Sequence, residues 1–163
     1  MSNPVLVEVS RPKRLWTARG TLIPPGEREY ELILSMLCHN LRTNAGREWQ
    51  KEQMSGTVAA VANYIAVTNT ASYTPAAGDT TLSGEQTTNG LARAAGTFAL
   101  NSGSAFYTLA KTFTYTGGSP ITLTGAAMFN AASAGTMPFA AAFSATATLV
   151  NGDQITPTWT VNI

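Results

Sequence analysis

A chain of 163 residues with a formal net charge of +1 is one domain's length, and it carries no field strong enough to recruit nucleic acid or an anionic membrane. Its single cysteine, Cys38, excludes an internal disulfide, and with only one histidine, His39, there is no zinc set. Charged residues make up 12% of the chain, against about a quarter in an ordinary soluble domain, and beyond residue 54 only Asp79, Glu85, Arg93, Lys111 and Asp153 are charged. A surface this poor in charge implies that other subunits cover much of it.

Val5, Val7 and Val9 alternate with Leu6, Glu8 and Ser10, which predicts a short strand stopping at Arg11-Pro12. Arg11, Lys13, Arg14 and Arg19 around Leu15 and Trp16 then make a basic arm with an aromatic anchor. Either this arm is a solvated loop with Trp16 packed on the body, or it reaches over a neighbouring subunit with its arginines seeking carboxylates. Arg11, Arg14, Trp16 and Arg19 are the candidate contact residues of the second alternative. Pro24-Pro25-Gly26 is a turn. Residues 1–29 thus read as an N-terminal arm with a first strand, and residues 30–163 as the body.

Residues 30–41 are dense in Leu, Ile and Met and fit a strand first and a helix second. Thr43 or Asn44 can cap a helix over about 44–54 that stops at Ser55-Gly56, with Trp49 and Met54 docking it on the sheet. Residues 62–67 have the composition of a buried strand, and residues 68–85 a long loop. Residues 91–100, 106–116, 121–129 and 137–143 read as further strands between turn signals at 87–90, 117–120 and 131–135. The last stretch is the clearest. Ile155, Pro157, Trp159, Val161 and Ile163 fall on one parity and Thr156, Thr158, Thr160 and Asn162 on the other, the pattern of a half-buried strand. Asn151-Gly152 before it predicts a hairpin with residues 145–150. Pro157, lacking an N–H, predicts an edge or a bulge there. Thr156, Thr158 and Thr160 are suited to lie against another subunit. Five to seven short strands at this spacing, with one short α-helix, predict a mainly β fold: an antiparallel β-sandwich, jelly-roll-like.

The uncharged run at 112–152 is too broken by Thr, Ser, Asn, Gly and Pro to span a bilayer, and residues 1–16 hold no secretory leader. The expectation is a protein made in a cytoplasm that stays soluble until it assembles. Chemistry is hard to find. Cys38 and His39 are neighbours on a strand, so they point to opposite faces and cannot form a nucleophilic dyad. No Gly-x-Ser-x-Gly elbow or phosphate loop occurs. Asp79 and Glu85 are two acids in a loop of glycines and hydroxyls, a weak calcium or glycosidase pattern. An Asx-type turn at Asp79 and pairing of Glu85 with Arg93 or Arg47 explain them better. Tyr107 and Tyr115, with Phe106 and Phe113, are an aromatic row better suited to packing than to a sugar platform. No cofactor is expected, and no enzyme.

The segments NLRTNAGREW (40–49), NYIAV (63–67), GDTTLSGE (78–85), GLARA (90–94) and NGDQITPTWTVNI (151–163) resemble small structural proteins encoded by tailed bacteriophages, across residues 36–163. The resemblance implies a virion structural protein. One implied reading is a capsid decoration (cement) protein, its partners being the major capsid protein and its own copies in a homotrimer on the capsid surface. The alternative is a tail, baseplate or fibre component that binds a receptor glycan through Tyr73, Tyr107 or Tyr115.

Overall fold

A computed structural model describes residues 4–13, 29–57, 60–100, 103 and 105–162. It contains strands β1 (Pro4–Pro12), β2 (Tyr30–Arg42), β3 (Tyr64–Thr68), β4 (Ala94–Ala95), β5 (Thr97–Leu100), β6 (Phe106–Ala110), β7 (Phe113–Thr114), β8 (Ile121–Phe129), β9 (Phe139–Leu149) and β10 (Gln154–Asn162), with helix α1 (Asn44–Met54) between β2 and β3. Every ladder is antiparallel, in the order β4-β3-β8-β9-β2-β1-β10-β6-β5, with β7 also on β10. The fold is the mainly β, sandwich-like one, with more strands than the sequence pattern marks out.

Two places turn one ladder into two facing layers. β2 pairs with β1 up to His39 and with β9 from Asn40, so one long strand serves both layers. The second is Gly96, where the single strand expected over 91–100 breaks. β4 before it pairs with β3, and β5 after it pairs with β6. A Cβ on Gly96 would stand 2.7 Å from the Ala110 carbonyl oxygen, so the chain changes layers where only glycine fits. Because β4 and β5 lie at opposite ends of the strand order, this bend nearly closes the sheet on itself. Between the layers, Val5, Val7, Val9, Ile155 and Trp159 meet Leu123, Met128 and Leu149, all buried. Each such side chain contributes roughly 1.5–3 kcal/mol through burial.

The expected closing hairpin does not form. β9 pairs with β8 and β2, whereas β10 pairs with β1, β6 and β7. Asp153 N–H donates to the Val150 carbonyl at 3.0 Å, and of the Asn-Gly pair only Gly152 takes a positive φ, 92°. That is the sense of a type II turn, not of the primed turns that match hairpin twist, and it sends the chain to the other layer. Pro157 is likewise at neither an edge nor a bulge. It sits in the interior strand β10, opposite Val7 of β1. Its carbonyl accepts from Lys111 N–H at 3.3 Å, in the gap between β6 and β7. N and C=O of one residue point to the same side of an antiparallel strand, so the missing donor falls where no ladder runs. For the same reason residues 106–116 are two strands rather than one.

Residues 69–85, called only a loop by their composition, form a third layer. Tyr73 and Leu82 cover Ala66, Ala127, Phe129 and Ala140 on the outer face of the β3-β8-β9 layer, and Met137 joins them. Those strands are thus buried on both faces, which is why their sequences lack alternation. The Tyr73 ring lies over Gly125, where any Cβ would collide with it.

Helix α1 starts as expected at Thr43. Its hydroxyl accepts from Gly46 N–H at 2.9 Å and donates to the Met137 carbonyl at 2.5 Å, capping the helix and tying it to the chain before β9. Gly46 faces the Pro138 backbone so closely that a side chain would collide with it. Half-buried Trp49 donates from Nε1 to the Ala60 carbonyl at 2.8 Å. Met54 does not dock: it is 82% exposed, because it lies in the last turn, beyond the contact Gly46 makes.

Candidate functional site

Of the residues expected to contact a partner, Arg14, Trp16 and Arg19 lie outside the described residues. Arg11 faces inward along its own chain. Its Nε and Nη2 donate to the two Asp153 carboxylate oxygens at 3.0 and 2.9 Å, and this pairing raises the Arg11 pKa. Asp153 is fully buried and also accepts from Val150 N–H at 3.0 Å, so one carboxylate holds the β9–β10 turn to β1.

Thr156, Thr158 and Thr160 are half-exposed on the outer face of β10. The Thr156 hydroxyl is 2.8 Å from that of Thr112. Thr158 stands between Leu6 of β1 and Ala110 of β6. Next to Leu6 lies Leu37 of β2, 60% exposed, and further along β2 are exposed Leu32 and Ile33, separated from the regular register by a bulge after Val9. These three are the large apolar residues of this face that the sequence reading did not single out. Their signal was present: residues 30–41 fit neither period cleanly because the bulge puts apolar side chains on both faces.

Two concavities flank the sandwich. The first is a groove of about 570 Å³ between α1 and the ends of β6 and β10, walled by apolar Trp49, Met54, Tyr107, Phe139 and Val161 and by polar Asn40, Arg42, Gln50, Gln53 and Asn162. Tyr107 packs edge-on against Phe98, with ring centroids 5.7 Å apart, and burial raises its pKa. The second, of about 510 Å³, opens within the third layer. Thr70, Ser72, Thr74, Thr80, Thr81 and Ser83 line it together with Gly78, Asp79 and Tyr73.

Tyr73 is not an exposed contact residue. It is 8% exposed, and its hydroxyl has no hydrogen-bond partner among the described residues. Burial first and the Asp79 charge second push its pKa up to about 12. Asp79 does not make an Asx turn of the ordinary sense. Its Oδ2 accepts from Ala76 N–H, three residues back, at 2.8 Å, while its own N–H donates to the Ala76 carbonyl. Glu85 pairs with Arg93, not Arg47: two parallel bonds of 2.8 and 2.6 Å join guanidinium and carboxylate. Arg93 also donates to the Ala131 and Ala134 carbonyls and lies 3.4 Å from the Phe129 ring centre, pinning the third layer to β8.

Tyr115 is buried, its hydroxyl donating to the Ser119 carbonyl at 2.5 Å, so it offers no face to a sugar. Cys38 is buried and 3.9 Å from the Ser144 hydroxyl, while the next residue, His39, is exposed. Among the described residues no three His, Cys, Asp or Glu side chains cluster as metal ligands, and no helix is long and apolar enough to cross a membrane. Compared with known proteins, the chain matches no family model, no curated protein and no solved structure.

Proposed function

We propose that this is a non-enzymatic virion structural protein, foremost a capsid decoration (cement) protein of a tailed bacteriophage. In this reading it binds the outer shell of major capsid protein and its own copies as a homotrimer. The observation that carries the reading is how the sparse charges of the body are used. Of the five charges beyond residue 54, Glu85 and Arg93 neutralise each other beneath the third layer and Asp153 is buried against Arg11, which leaves Asp79 and Lys111. The surface facing outward is therefore more neutral than the composition alone implies, and it carries Leu32, Ile33 and Leu37 beside the threonine face of β10. Such a surface gains by assembly. Apolar area buried across a capsomer junction adds to the work of parting it, less the cost of ordering the side chains it immobilises.

Purified protein is expected to bind expanded capsids at saturating, symmetry-related copy number, and virions lacking it to lose their contents at lower temperature or in chelator. Failure to bind, or unchanged virion resistance without it, overturns the proposal. The tail, baseplate or fibre reading draws on one observation, the hydroxyl-lined cleft over Tyr73. Immunogold labelling at the tail rather than the head would favour it.

A further inference from the structure

We propose that the groove between α1 and the ends of β6 and β10 receives the outer face of β1 and β2 from a second copy of this chain, so that copies associate head to tail. The inference rests on the reading that the chain packs against its own copies, and it names the two surfaces that meet.

The first surface is a sheet face. Antiparallel register sets Leu6 beside Leu37 and Glu8 beside Ser35 and Thr156, on the side turned away from the core residues Val5, Val7 and Val9. Past the bulge, Leu32 joins them opposite Ser10, and Ile33 is the unmatched residue of the bulge itself. Leu32, Ile33 and Leu37 are all exposed, and large apolar side chains gathered on one face mark a place of contact. The second surface is concave. Trp49, Tyr107 and Phe139 wall the groove, and Met54 at its rim is the most exposed large apolar side chain among the described residues. An unbranched thioether adapts its shape to whatever enters.

Charge decides which surface meets which. On the outward side of β1, β10, β6 and the part of β2 that pairs with β1, Glu8 is the only Asp, Glu, Lys or Arg among the described residues, since Glu31 falls on the inward side opposite Arg11. Among the groove's walls only Arg42 is charged, and its guanidinium donates to Gln50 rather than to a carboxylate. Neither Glu8 nor Arg42 has an ion-pair partner among the described residues. Two such faces packed together bring Glu8 towards Glu8, and two grooves bring Arg42 towards Arg42. Only face into groove brings opposite charges together.

A contact between unlike surfaces leaves each copy with one surface unused. It is therefore heterologous, and it closes as a ring when the rotation per step allows. Three such contacts make the homotrimer without any further surface.

The test is the mass of the purified chain by sedimentation velocity over a dilution series, with no capsid present. The wild type is expected to associate as its concentration rises. Leu37→Asp, which spoils the face, and Met54→Asp, which spoils the groove, are each expected to sediment as monomers. Mixed in equal amounts they are expected to form a 1:1 dimer and nothing larger, because one intact face and one intact groove remain. That dimer also shows that both variants are folded. Glu8→Arg and Arg42→Glu should each weaken association about tenfold, and the two combined in one chain should restore it. The proposal is overturned if the wild type stays monomeric, if Leu37→Asp or Met54→Asp alone keeps the wild-type mass, if their mixture stays monomeric, or if the combined charge reversal recovers nothing. Capsid binding is read separately. A chain that associates through these surfaces but binds no capsid upholds this inference and overturns the cement reading, whereas a monomeric chain that binds capsids does the reverse.

Discussion

Helix α1 and the chain beyond residue 54 handle charge in opposite ways. On α1, Glu48 and Lys51 form an exposed ion pair one helical turn apart, worth little in water. In the body, Arg93 and Glu85 are only 9% and 19% exposed and share their bonds with two backbone carbonyls and an aromatic ring. The pair on the helix stays in water, while Arg93 with Glu85 and Arg11 with Asp153 hold layers together. A low charge count therefore measures two separate things: how little of the surface repels a partner, and how few polar anchors the interior needs.

The sharpest way to break this contrast is Arg93→Ala, which leaves the Glu85 carboxylate and the Ala131 and Ala134 carbonyls unpaired. The expected loss is about 4 kcal/mol in urea unfolding, and a double-mutant cycle with Glu85→Ala should show strong coupling. A loss no larger than that of Glu48→Ala would abolish the distinction. Asp153→Ala comes next, at about 3 kcal/mol, because its partner Arg11 is partly hydrated and recovers some of the cost.

Gly46→Ala should displace α1 from the Pro138 backbone, costing roughly 1–3 kcal/mol and shifting Trp49 fluorescence. Tyr73 supplies a pH signature. Its folded pKa of about 12 lies above the ordinary 10, so its contribution is intact below pH 10 and is lost as pH rises from 10 towards 12. Base unfolding of wild type and Tyr73→Phe should differ across that window, and the late phenolate absorbance should lose the contribution of one tyrosine in Tyr73→Phe. Lys51→Ala should leave the urea midpoint essentially unchanged, and a clear shift would mean that the helix charges also serve the interior.

The strands whose two faces differ were legible in the sequence. β1 and β10 show strict alternation because one face meets the core and the other is half-exposed, and Thr43 announced α1 through its capping chemistry. The third layer was not legible. Residues 69–85 have turn composition throughout, and nothing local tells Tyr73 or Leu82 that a bare sheet face of Ala66, Ala127 and Phe129 awaits them. The cleft inherits that blindness, since Thr70 and Ser83 meet only when Thr124 of β8 holds the one and Thr68 of β3 the other. Leu32, Ile33 and Leu37 were visible as apolar residues, but Leu37 is exposed because it pairs with Leu6 on the outer face, and Leu32 because the bulge opposite Val9 turns it outward.

By itself the sequence determined an all-antiparallel, disulfide-free β body with one capped helix, because hydrophobic period, turn residues and caps are local properties. Only the tertiary structure decided which strands pair, that Asn151-Gly152-Asp153 crosses between layers instead of closing a hairpin, and that Glu85, Arg93 and Asp153 are turned into paired contacts. Those choices turn on contacts between residues far apart in the chain, such as Arg11 with Asp153 across 142 positions, which no local pattern records.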